Sequence, residues 1–229
     1  MGRTDLVLDI GAGEGALAAE LARRSERVRA IEIDPALVAH LRKRFAAAAN
    51  VDVVGGDALR VTLPDEPFRV LANIPFNLTT AIMRRLLDDP GVPLARADLV
   101  VELDVARKRA LCTPSTALGV YWGAWYEFAL LRRLDATAFS PPPATDAGVL
   151  RITRRSEPLV TPADAARYRA LVTGAFERRA PVRHALRGIV SPLELKRLGR
   201  QLGFAPDAPP WELDHHQWAG IFRYVRTAR

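Results

Sequence analysis

The chain has 229 residues, 49% of them hydrophobic and 26% charged, with a formal net charge of +7. That size allows one substantial domain, or one domain with a small appendage, around a sizeable core, and the composition excludes a disordered chain. No run of 18 apolar residues is present, which excludes a membrane-spanning helix, and the single cysteine, Cys112, excludes a disulfide framework or thiolate metal cluster and fits a reducing, cytoplasmic compartment.

The first half alternates short apolar runs with helical patterns, the sign of a parallel sheet flanked by helices. Leu6–Ile10 reads as a strand, interrupted by Asp9 and so unlike a secretory signal. A glycine loop and a helix from about Ala16 to Arg24 follow. Val28–Ile33 is a second strand. Asp34 then caps a helix that has Pro35 at its first position and runs towards Ala47. Further strands are expected at Val51–Val54, Arg69–Ile74 and Asp98–Leu103, with a helix at Thr79–Leu87. Signals from Trp122 to Leu134 are mixed, and a late strand, Val149–Thr153, comes after the proline turn Pro141–Pro143. Beyond Ser156 the pattern is helical: Thr161 caps one helix, Ser191-Pro192-Leu193-Glu194 is a capping box, and a last helix covers His215–Tyr224. The expected organisation is an α/β domain over 1–155 and a helical domain over 156–229. Charge divides in the same way. Residues 1–150 hold 18 Lys and Arg against 19 Asp and Glu, and residues 151–229 hold 15 against 7.

Gly11-Ala12-Gly13-Glu14-Gly15 gives G-x-G-x-G between a strand and a helix, where glycines let a ligand lie against the backbone. Glu32, at the end of the second strand, is placed to accept both hydroxyls of a ribose. Asp57, after the third, is placed to accept from the exocyclic amine of an adenine. Three successive loops of this kind describe an adenosine-containing ligand at the C-terminal edge of a parallel sheet. Glycines and acids also end strands for turn and capping reasons alone.

After the fourth strand comes Asn73-Ile74-Pro75-Phe76. Here the chain resembles the amino-methyltransferases that use S-adenosylmethionine, and within them the erythromycin-resistance (Erm) type of the ribosomal RNA adenine-N6 dimethyltransferases. Phe76–Ile82, Arg84–Leu87, Val105–Ala110, Phe139–Pro143, Asp146–Leu150 and Leu213–Trp218 extend the resemblance through nearly the whole chain. It implies a Rossmann-like class I methyltransferase domain followed by a small all-helical domain, with S-adenosyl-L-methionine as cofactor and no metal. Asp9, Gly11, Ala12, Gly13, Gly15, Glu32, Ile33, Asp57, Ala58 and Asn73 would hold the cofactor. The Asn73 side-chain oxygen and the Ile74 carbonyl would accept the two N6 protons of the target adenine, aiming its lone pair at the methyl group. Pro75 would stiffen the turn. Phe76 and Phe139 would stack on opposite faces of the extruded base.

The implied activity is methyl transfer to N6 of one adenine in 23S ribosomal RNA, giving macrolide, lincosamide and streptogramin B resistance, by a monomer with no membrane partner. Two alternatives stay open: dimethylation of 16S RNA in ribosome assembly, and a catalytically silent RNA-binding protein. The second is motivated by a departure. Family members carry a longer segment before the first strand, with a Gln-Asn-Phe stretch holding the methionine end of the cofactor, and this chain starts a few residues ahead of that strand.

Arg84, Arg85, Arg107, Lys108, Arg109, Arg178, Arg179 and Arg183, with Arg187, Arg197 and Arg200 beyond, are the expected RNA-backbone contacts. Cys112 is expected to be buried. His215 and His216 should be solvated, and Trp122, Trp125, Tyr126 and Phe128 should be core.

Overall fold

The computed structural model describes residues 6–139 and 144–227, so the Pro141–Pro143 turn lies outside the described residues. Seven strands form one sheet: β1 (Leu6–Ile10), β2 (Arg27–Glu32), β3 (Val51–Gly55), β4 (Phe68–Asn73), β5 (Leu94–Glu102), β6 (Tyr126–Leu134) and β7 (Ala147–Arg154). Their order is β3-β2-β1-β4-β5-β7-β6. The first five run parallel, and β7 runs antiparallel to β5. β5 begins earlier than the sequence pattern suggests, because Leu94 pairs with Phe68 and Arg96 with Thr153.

The parallel strands are joined by α1 (Ala16–Ala22), α2 (Pro35–Arg44) and α3 (Thr79–Leu87). α2 starts as its sequence requires: Asp34 accepts from the Ala36 N–H at 2.7 Å, and Pro35 occupies the first turn. α3 buries Ile82, Met83, Leu86 and Leu87 along one stripe. The ambiguous stretch resolves into α5 (Ala117–Gly123), capped by Thr116 through the Gly119 N–H, followed by β6. α4 (Leu103–Arg109) precedes it. Among the described residues, no helix is long and apolar enough to cross a membrane.

The C-terminal helices are α6 (Ala165–Glu177), α7 (Val182–Ala185), α8 (Pro192–Leu202) and α9 (His215–Thr227). The Ser191–Glu194 capping box is present at α8. Thr161 acts differently from the expected cap. Its hydroxyl donates to Asp164 at 2.7 Å over a 3-10 turn, and α6 starts only at Ala165.

Contacts divide the chain into two compact units, one running to Arg107 and resuming over Phe128–Arg154, the other made of Lys108–Glu127 and the chain from Arg155 onward. The sequence boundary near 155 therefore differs from this grouping in one segment, 108–127. The reason is aromatic. Tyr121 and Trp125 pack edge to face at 4.9 Å, Trp125 lies 6.0 Å from Tyr168, and Tyr168 lies 5.3 Å from Phe222. Trp122, Trp125 and Tyr126 are buried as core, and Phe128 only in part.

Two further expectations fail. Cys112 is exposed. His215 is half-buried rather than solvated, and desolvation, reinforced by Arg155, pushes its imidazole down to about 4. His216 is exposed as expected.

Candidate active site

Strand order reverses between β1 and β4, and at such a switch point the loops leaving two neighbouring strands diverge to open a crevice at their C-terminal ends. The glycine loop leaves β1 on one side and the Asn73–Phe76 turn leaves β4 on the other. They are close: a Cβ added at Gly11 would stand 4.0 Å from both the Asn73 carbonyl oxygen and the Pro75 Cδ.

The loop is fastened to β2. Gly11 and Ala12 donate to the Ile31 carbonyl at 2.9 and 3.1 Å. Glu32, only 7% exposed, accepts from Gly13 N–H on Oε2 at 2.8 Å, and from Ile33 and Asp34 N–H on Oε1 at 2.8 and 3.0 Å. A carboxylate offers about four lone-pair positions, so about one remains. Glu32 thus shapes the loop, and Oε2 keeps room to accept from a ligand. Nothing in the sequence separates a ribose acid from a loop-fastening acid. Gly15 serves packing: at φ +83, a Cβ there would lie 2.6 Å from Leu41 Cδ2 and 2.9 Å from Phe45 Cε2, so only glycine lets α1 start against α2.

Asp9 is 1% exposed, and its Oδ2 has no hydrogen-bond partner. Burial raises its carboxyl to about 7, with a smaller push from Glu32, against a lowering hydrogen bond from the Ala18 backbone. Such an oxygen beside a glycine cradle suits a cationic ligand. Three further features fit an adenosyl group. The space beyond Gly13 is open, since an added Cβ would meet nothing within 4 Å. Ile33 is 67% exposed, an apolar plate at the end of β2. Asp57 is partly exposed beside Ala58, one oxygen accepting from the Leu59 N–H at 2.9 Å. The residues present therefore fit S-adenosylmethionine.

In the β4 turn, Asn73 pairs in register with Val100 and is exposed. The Ile74 side chain is 1% exposed, and its N–H donates to the Val100 carbonyl at 3.2 Å, which fixes the backbone at the site. Pro75 is exposed and Phe76 half-buried at the start of a 3-10 turn. Phe139 is half-buried where the 3-10 turn Ala136–Ala138 ends, its N–H on the Ala136 carbonyl.

The expected RNA contacts separate. Arg84, Arg107 and Lys108 are exposed, and Arg107 lies 3.5 Å from Asp104. Arg85 reaches the Val61 carbonyl at 3.2 Å. Arg109 turns inward, 4.8 Å over the Trp122 ring and bonded to Thr116. Arg178 donates to the carbonyls of His184 and Arg187, and Arg183 is paired with Asp207. Arg179 is exposed at φ 47.

The family model described as "Ribosomal RNA adenine dimethylase" matches residues 2–225. An rRNA adenine N-6-methyltransferase of Bacillus licheniformis is 32% identical over 95% of this chain and 76% of its own length. The mycinamicin-resistance protein MyrB of Micromonospora griseorubida is 35% identical over 96% and 70%. The ribosomal RNA small subunit methyltransferase A of Synechococcus sp. (strain JA-3-3Ab) is also 35% identical, over 94% and 79%. Among solved structures, the 23S rRNA methyltransferase ErmE superposes with a TM-score of 0.88 at 29% identity, covering 99% of this chain and 93% of that one.

Proposed function

This chain belongs to the ribosomal RNA adenine dimethylase family, and from that premise we propose that its substrate is one adenine of 23S ribosomal RNA, whose N6 methylation confers macrolide, lincosamide and streptogramin B resistance. The protein is an S-adenosylmethionine-dependent ribosomal RNA adenine methyltransferase with a Rossmann-like class I domain. The observation that carries the 23S reading is the likeness to ErmE over 99% of this chain, helical part included. The resistance name of MyrB supports it. A 16S reading draws on the small-subunit relative, which is as similar in sequence as MyrB.

Bound S-adenosylmethionine supplies a methyl group on an already activated sulfonium. What remains for the protein is placement. Asp9, Ala12, Gly13, Glu32, Ile33, Asp57 and Ala58 would hold the cofactor, with Gly11 leaving room beside Asn73. The N6 lone pair of adenine is delocalised into its ring and is a poor nucleophile. Asn73 Oδ1 and the Ile74 carbonyl accept the two N6 protons, drawing the nitrogen towards sp³ and directing its lone pair. Phe76 and Phe139 hold the extruded base flat, a stack worth about 1–3 kcal/mol at comparable sites. Holding the reacting atoms in line supplies the acceleration; the methylated nitrogen is acidic enough to shed its extra proton to water, so no general base is needed.

The test is transfer of tritiated methyl to naked 23S and 16S transcripts by the purified protein, acting as a monomer. Label in 23S alone is expected. Label in 16S alone overturns the substrate, and no label at saturating cofactor with RNA still bound returns the silent alternative. Asn73→Ala should abolish transfer and leave RNA affinity nearly unchanged; equal loss of both would remove Asn73 from the role given to it.

A further inference from the structure

We propose that the outward face of α8 is the surface by which the helical unit grips the RNA phosphate backbone; this rests on the reading of the chain as an enzyme acting on ribosomal RNA. The helix is divided cleanly. Leu195, Leu198 and Gly199 are buried on one side, where a Cβ at Gly199 would stand 2.6 Å from the Phe204 carbonyl oxygen. On the other side Leu193, Lys196, Arg197, Arg200 and Gln201 line a shallow open recess. Offsets of three and four residues put these side chains on one stripe, and the cations span about 6 Å of the axis.

The stripe is rigidly mounted. Ser191 and Glu194 close the capping box, Gly203 ends the helix in the left-handed region, and the Tyr224 hydroxyl of α9 donates to Glu194 at 2.6 Å. Glu194 is the helix's one acid, and its two oxygens are taken, one by the Ser191 N–H and the other by the Tyr224 hydroxyl. Among the described residues, no acidic side chain pairs with Lys196, Arg197 or Arg200.

That sets them apart from five cations of this unit whose side chains are engaged. Arg155 is paired with Glu127, Arg183 with Asp207 and Arg226 with Asp164. Arg178 holds two carbonyls, and Arg109 stacks on Trp122. A committed guanidinium must break a contact before it can take a phosphate; an uncommitted one releases only counterions from the RNA, which is favourable. Two arginine forks suit paired phosphate oxygens, and the lysine adds a point charge. The stripe carries no side-chain carboxylate, which would accept from a base, and no aromatic ring on which one could stack. It therefore contributes affinity and salt dependence, and target choice stays with the catalytic unit.

The experiment compares the wild type with Lys196→Gln/Arg197→Gln/Arg200→Gln. Retention of a full-length 23S transcript on filters is measured between about 50 and 200 mM monovalent salt. The slope of log affinity against log salt should shrink by about 2–3, and affinity at low salt should fall on the order of tenfold or more. The KM for RNA should rise while kcat at saturating RNA, cofactor affinity and the melting temperature hold. Arg178→Gln/Arg183→Gln should leave the slope as it is. A triple variant with wild-type slope and KM overturns the proposal, as does a slope lost in the Arg178/Arg183 pair instead. Failure of the enzyme reading would show separately, as absence of methyl transfer by the wild type with the salt slope still lost in the triple variant.

Discussion

Asp9 is a carboxyl placed where burial makes its charge unwelcome. Its value near 7 in the folded chain lies above the ordinary 3.8, so the folded form holds a proton that the unfolded form has shed. The resulting stability is whole below 3.8 and is lost as pH rises through 7. Asp9→Asn removes that dependence. Without cofactor, the variant should gain on the wild type between pH 6 and 8 by about 1 kcal/mol, the part of the loss that falls in that range. Its affinity for S-adenosylmethionine should fall in the same range, since the compensating charge is gone. Thermal melts at both pH values check the first part and calorimetry the second; a difference independent of pH would contradict the account. The sequence marks Asp9 as part of the motif, but its lone unpartnered oxygen depends on what α1 and β2 pack around it. Glu32 teaches the same lesson, because its three N–H donors come from a loop whose shape the sequence does not state.

Elements show where pattern reading works and where it stops. The parallel strands and their loops were legible because strand ends carry recurring residue types: glycines after β1, acids after β2 and β3, Asn-Ile-Pro-Phe after β4. The start of α2 was legible from Asp34-Pro35, and that of α8 from Ser191 to Glu194. The partners of side chains on the helices were not. Arg109, Arg178 and Arg183 look like Arg197 and Arg200 in sequence, yet among the described residues the first three are held by a ring, by carbonyls or by an acid, and the last two have no acidic partner. Contact between α5 and α9 gives a sharper case. A Cβ at Gly123 would overlap the half-buried His215 ring, so the ring or the helix carrying it must shift. Gly123→Ala should therefore cost about 1–3 kcal/mol in denaturant unfolding, and adding His215→Ala should recover part of it. A neutral Gly123→Ala would show that the two helices are not held as described.

At the scale of the molecule, the chain leaves the catalytic unit after Arg107, returns at Phe128 and leaves again after Arg154. The helical unit is therefore built from two separate stretches, and a cut near residue 155 would leave 108–127 without the segments it groups with. A chain ending at Arg154 keeps Trp122 and Trp125, which are 0% and 1% exposed in the intact protein, and loses Tyr168 and Phe222. It should self-associate in size-exclusion chromatography and bind a hydrophobic dye; a monomer with a cooperative melt would contradict this. The net charge of +7 was visible as a mean from the start, whereas its two-stretch foundation was hidden in an aromatic run that reads equally as strand or helix.

The same threading sets a schedule for synthesis. Trp125 leaves the ribosome about a hundred residues before Phe222, which at ~5–20 residues per second amounts to roughly 5–20 s. For that interval the aromatic surface of α5 has been made and its cover has not. The nascent protein thus passes through a timed period of stickiness, fixed by topology alone, in which a chaperone has its clearest opening.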